Sequence, residues 1–120
     1  MSRLSFLVVF LACSACGPST GTSASASTCT ASVPSSCPSD APTYAADVAP
    51  LLQTYCTSCH AAGGAQGDVP LTSFAEVSAR ATDVEGEVGS CSMPPPDEAQ
   101  PTEAERQAIL QWIVCGASDD

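Results

Sequence analysis

The hydrophobic pattern divides the chain into three stretches. The first is a short apolar run, Leu4 to Ala12, behind the single cation Arg3. A bilayer-spanning helix needs about 20 apolar residues, so this run reads as the centre of a secretory signal covering residues 1–15. The second stretch, residues 16–43, is rich in Ser, Thr, Ala, Gly and Pro and has almost no large apolar side chain. Such a stretch cannot bury enough surface to offset the entropy of ordering, and it reads as a flexible tether reaching roughly 30 Å as a random coil. The third, residues 44–120, carries helical periodicity.

Within that third stretch, Val48, Leu51, Leu52 and Tyr55 fall at the i, i+3, i+4, i+7 spacing of one helix face. Asp47 is the expected N-cap, with Pro50 tolerated in the first turn. This helix runs directly into Cys56. A Gly-rich loop, Ala61 to Asp68, follows. Leu71 and Phe74 open a shorter, weaker helix through about Thr82. Asp83 to Gln100 is expected to be irregular, since Pro94-Pro95-Pro96 forbids helix there. The last helix has the clearest signals. Thr102 and Glu105 have the spacing of a capping box. Glu105, Ala108, Ile109, Trp112 and Ile113 form a largely apolar stripe, and Gly116 supplies a stop. No alternating pattern of strand length occurs, so the expected fold is all-α with about three helices.

Charge narrows the partners. Thirteen Asp and Glu stand against three Arg and no Lys, a formal net charge of −10. Once the signal is removed only Arg80 and Arg106 remain. Nucleic-acid binding needs Lys and Arg for phosphates, and a polybasic membrane contact is excluded on the same ground. A partner recruited by charge would present a basic surface; equally, acidity keeps a small exported protein soluble.

The eight cysteines are Cys13, Cys16, Cys29, Cys37, Cys56, Cys59, Cys91 and Cys115. The signal ends in Ala12-Cys13-Ser14-Ala15-Cys16-Gly17, which looks like a bacterial lipoprotein processing site. That resemblance implies cleavage before Cys13 or Cys16 and lipid on the new N-terminal cysteine. Parity favours Cys16: it leaves Cys29, Cys37, Cys91 and Cys115 to pair once Cys56 and Cys59 are set aside. Four cysteines permit three connectivities. Pairing Cys91 with Cys115 and Cys29 with Cys37 keeps each bridge within one region. Disulfides persist in oxidising compartments, so the expected location is extracytoplasmic, membrane-anchored and facing the periplasm or the cell surface.

Cys56-Thr57-Ser58-Cys59-His60 is a C-x-x-C-H segment, the haem-attachment pattern, and contains the chain's single histidine. Two thiols at this spacing can each form a thioether with one porphyrin vinyl group, and the adjacent imidazole can bind the iron. Competing readings are a redox dithiol, which would sit near a βαβ pattern, a zinc site, which needs four ligands, and a disulfide-bonded loop. A domain of 77 residues, 44–120, also needs a staple or cofactor to complete its core.

Residues 44–116 resemble the small bacterial mono-haem cytochromes c of class I. The resemblance rests on the helix delivering Cys56-Thr57-Ser58-Cys59-His60, on the pair Met93-Pro94 and on the last helix bearing Trp112. It implies helices wrapped around one covalent haem c, with the first and last crossing near the aromatic residue. It also implies His60 and Met93 as axial iron ligands, and a backbone carbonyl near a proline, here in the region of Pro70, fixing the His60 ring. The implied function is one-electron transfer to redox partner proteins: a carrier and not an enzyme. A haem-based ligand sensor or binding module and a non-haem, disulfide-stapled surface lipoprotein are the alternatives. If Cys16 carries the lipid, Cys16→Ala should move the protein from the membrane to the soluble fraction with its domain intact, as read by fractionation and by mass spectrometry of the N-terminus.

Overall fold

The computed structural model describes Cys29 and residues 31–120. The signal at 1–15, both lipidation candidates Cys13 and Cys16, and the tether as far as residue 28 lie outside the described residues. Among the described residues there are four α-helices and no strand. They are α1 (Ala49–Tyr55), α2 (Phe74–Ser78), α3 (Ala81–Gly89) and α4 (Glu103–Val114), with a π-helical turn, Tyr44–Val48, leading into α1.

The entry to α1 differs from expectation. Its cap is Thr43, whose hydroxyl accepts from the Ala46 N–H at 3.3 Å. Asp47 is the acidic half of the same box, accepting from the Thr43 N–H at 2.8 Å. The two stand four apart instead of three because the turn is π-helical, with Val48 N–H donating to the Thr43 carbonyl. Pro50 has no N–H for a regular bond at the join. At α4 the capping box is as expected: Thr102 accepts from the Glu105 N–H, and Glu105 accepts from the Thr102 N–H at 2.7 Å.

The weak second helix proves to be two. α2 is capped by Ser73 and ends at Ser78; α3 then occupies much of the stretch expected to be irregular. Gly86, Gly89 and the β-branched Thr82, Val84 and Val88 give α3 low intrinsic propensity, but Val84 and Val88, one turn apart, are buried against the body. Tertiary burial overrides the weak local preference.

Core packing centres on Trp112, 1 % exposed, with Leu110, Ile109, Val48, Leu52 and Val77 fully buried around it. The Trp112 ring lies 5.4 Å from Tyr44 and 6.3 Å from Phe74, and Tyr44 meets Phe74 edge-on at 5.3 Å. This cluster joins the first helical turn, α2 and α4. The buried stripe of α4 is Arg106, Ile109, Leu110 and Trp112, rotated from the expected one, which included Glu105, Ala108 and Ile113.

Two disulfides correct the expected pairing: Cys29 bonds Cys91 and Cys37 bonds Cys115. They also move the boundary of the tether. The segment from Ala31 to Thr43 lies along the helical body, with Val33 over Gly89 and the Gln107 side-chain amide donating to the Ser32 carbonyl at 3.0 Å. Cys29, just ahead of this segment, and Cys37, within it, each meet the cysteine that closes a helix, Cys91 after α3 and Cys115 after α4. A local 29–37 bridge would tie the segment only to itself. Peptide mapping without reduction should recover 29–91 and 37–115 links and no 29–37 link. Cys37→Ser with Cys115→Ser should cost about 2–4 kcal/mol in guanidinium unfolding, the range for bridges closing long loops.

Candidate functional site

Helix α1 ends at Tyr55 and the chain tightens at once. Cys56 N–H donates to the Leu52 carbonyl, and the His60 N–H to the Cys56 carbonyl at 2.9 Å. This turn presents Cys56, Cys59 and His60 toward one cavity. The following loop folds back underneath: Gln66 N–H donates to the Cys59 carbonyl and Leu71 N–H to the His60 carbonyl, both at 2.9 Å. Gly64 sits so close to the Cys59 carbonyl that a methyl group would overlap it.

The cavity has a volume of about 490 Å³, within the range of small-molecule and cofactor sites. Leu52, Tyr55, Cys56, Cys59 and His60 form one wall. Val69 and Leu71 form a second, Val84 and Val88 of α3 a third. Met93, Pro94 and Pro95 close it on the remaining side. Asp83, Glu87 and Glu98 also border it, with Arg80. Residues drawn from positions 52 to 99 thus converge on one largely apolar space, and the four residues singled out in sequence as cofactor contacts all line it.

His60 Nδ1 lies 2.8 Å from the Val69 carbonyl oxygen. A carbonyl can only accept, so Nδ1 carries the proton and Nε2 keeps its lone pair. The fixing carbonyl belongs to the residue just before Pro70, in the region expected for it. Cys56 and Cys59 are free thiols. Burial pushes the Cys56 thiol up to about 11, against the lowering pull of Arg106. That is opposite to the depressed pKa of a redox-active dithiol. Among the described residues no three His, Cys, Asp or Glu side chains come together as a metal-binding group, and a zinc site needs four such ligands. Cys29, Cys37, Cys91 and Cys115 are taken up in the two disulfides.

Two contributors were not legible in the sequence. The α3 wall was hidden by its glycines and acids, although Val77, Val84 and Val88 recur at helical intervals. Arg106, only 4 % exposed, reads as a surface cation by composition; its placement at i−3 and i−4 to Ile109 and Leu110 was the available sign. Tyr55 adds a link across the site by donating to Glu105 at 3.1 Å. Hydrogen bonds from the Thr102 backbone and hydroxyl hold the Glu105 carboxyl below the usual carboxylate range.

Gly64→Ala should destabilise the domain by about 2 kcal/mol, because the methyl meets backbone that cannot yield without moving the Cys59 turn. Gly86→Ala, where nothing lies within 4 Å of an added methyl, should instead gain about 0.5–1 kcal/mol of helix propensity. Denaturant midpoints of the two variants check both signs.

Compared with protein families, curated proteins and solved structures, the chain matches none.

Proposed function

We propose that this cavity holds one haem, attached covalently through Cys56 and Cys59 and ligated by His60 and Met93, and that the protein is a one-electron carrier like the small bacterial mono-haem cytochromes c. The observation that carries this reading is that Cys56, Cys59, His60 and Met93 line the same cavity, although Met93 lies far from the other three in sequence. The residues present fit the group: apolar walls for a porphyrin, two free thiols, an imidazole with a free Nε2, and a thioether. When bound, the haem iron supplies the one-electron couple.

Each residue then has a definite task. Cys56 and Cys59 fix the cofactor by thioethers, so it cannot dissociate. Val69 holds the His60 ring in one tautomer and one orientation, which raises the basicity of the ligating nitrogen. Met93 offers a soft sulfur that favours the reduced metal. If His60 and Met93 both ligated the iron, the chain itself would leave no open site for a substrate, as a carrier requires. Leu52, Leu71, Val84 and Val88 keep water out, so little solvent reorganises when charge moves. Asp83, Glu87 and Glu98 give the rim of the site negative charge, which fits a redox partner with a basic docking surface.

The setting is extracytoplasmic. Disulfides suit an oxidising compartment. Among the described residues no helix is long and apolar enough to cross a membrane. The membrane attachment in this reading is lipid on Cys16, on the resemblance of the signal's end to a lipoprotein processing site. A tether of that kind raises the effective concentration of the domain near membrane-bound partners.

Protein produced with a haem-attachment system should retain haem absorbance on a denaturing gel, and Cys56→Ala with Cys59→Ala should abolish it. Haem that persists in the double variant rejects covalent attachment. Met93→Ala should keep the haem but lower the reduction potential by on the order of 0.1 V, since axial ligands set the potential over several tenths of a volt. The same variant should bind carbon monoxide readily. An unchanged spectrum and potential would reduce Met93 to packing.

A further inference from the structure

We infer that Arg106 and Gln100 together are the positioning device for the Met93 sulfur. This rests on the haem ligation proposed above and names residues outside the ligand set. The loop carrying Met93 is short of backbone donors, because Pro94, Pro95 and Pro96 have no N–H. The Met93 N–H itself donates to Glu87 at 3.2 Å, and the next donor along, Glu98, bonds within the loop to Pro95. Between these points the loop's carbonyls depend on side chains.

Arg106 and Gln100 supply them. Arg106 Nη1 donates to the Met93 carbonyl at 2.8 Å and, at a longer 3.4 Å, to the Val88 carbonyl at the end of α3. Its Nη2 donates to Gln100 Oε1 at 2.6 Å. The Gln100 amide then donates to the carbonyls of Pro95 at 2.7 Å, Glu98 at 3.1 Å and Pro94 at 3.2 Å. One guanidinium on α4 thereby ties α3, Met93 and the proline loop into a single unit. The fork geometry of Arg is needed for this; the point charge of Lys cannot reach Met93 and Gln100 in the same way.

Arg106 is also a buried cation whose hydrogen-bond partners are all neutral oxygens. Burying a charge on such terms is costly, and an apolar side chain of similar size would pack the stripe of α4 at lower cost. A role in holding the Met93 carbonyl accounts for a guanidinium at this position. Met93 is partly exposed and lines the cavity, so a shift of its backbone carbonyl carries the whole residue with it.

Three variants of the haem-loaded protein test this. Arg106→Lys keeps the charge and loses the fork; Arg106→Met loses both; Gln100→Ala leaves Arg106 and removes the outer arm. Ferric samples are examined for the far-red iron–sulfur charge-transfer band and titrated with imidazole. Arg106→Lys and Gln100→Ala should weaken the band and lower the imidazole midpoint about tenfold, the change expected on losing one charge-assisted hydrogen bond. Both should retain covalent haem and helical circular dichroism. Arg106→Met should lose the band and show a lower potential than Arg106→Lys, because a positive charge close enough to act on Cys56 is also gone. If Gln100→Ala and Arg106→Lys keep the wild-type band and midpoint, the device is only structural and the inference fails. Should the Arg106 variants not fold, Gln100→Ala, at an exposed side chain, decides alone. A wild-type protein with haem but no such band would instead overturn Met93 ligation itself, a separate outcome read before any variant.

Discussion

Walling a cavity of about 490 Å³ with side chains of a core that, among the described residues, has ten buried hydrophobic members is the constraint to which the rest of the structure answers. A domain this small gains little from packing alone, and every apolar residue turned toward the cavity is one that has no protein atoms on that side. The aromatic cluster of Tyr44, Phe74 and Trp112 gathers the solid part of the core on one side. The two disulfides then tie the chain around the segment from Ala31 to Thr43 to the ends of α3 and α4.

Helix ends do much of the remaining work. α4 closes with Gly116 at φ 101°, Ala117 N–H donating to Trp112 and Gly116 N–H to Ile113. α3 closes in the same pattern, but the left-handed residue is Cys91, at φ 61°, with Ser92 N–H donating to Glu87 and Cys91 N–H to Val88. A glycine would adopt that conformation at lower cost. The cysteine at that turn is bridged to Cys29 and leads within two residues to Met93. The end of α3 thus serves three purposes at once: it stops a helix, anchors the N-terminal segment and aims the methionine loop. The Arg106 fork meets the same region from the other side.

The two sides of the site are built by different means. The Cys56–His60 side is local: a helix, a tight turn and a loop folded beneath it, with Gly64 against the Cys59 carbonyl and Val69 against the His60 ring. The Met93 side is assembled from α3, α4 and a proline loop that has few backbone bonds of its own. A side held by local backbone geometry is fixed by its sequence neighbours, whereas a side held by side-chain hydrogen bonds depends on tertiary packing. In the proposed carrier, the methionine is accordingly the ligand whose occupancy the surrounding residues control.

The division between sequence and tertiary structure follows from the range of the forces involved. Local signals were sufficient for the all-helical class, for α4 with its Thr102–Glu105 box and Gly116 stop, for the apolar face of α1, and for marking Cys56, Cys59 and His60 as a candidate group, because capping, periodicity and motif spacing act over a few residues; Met93 came from the family resemblance and not from a local signal. They misplaced the cap of α1 because a π-helical turn spaces Thr43 and Asp47 by four. They missed α3 because its glycines and β-branched residues carry little helical preference until Val84 and Val88 find a surface to cover. The disulfide partners, the docking of residues 31–43 and the burial of Arg106 depend on which surfaces meet across the fold. Cys29 and Cys37 are eight positions apart in the chain, yet each finds its partner beyond residue 90, since chain topology and not sequence distance sets which thiols approach.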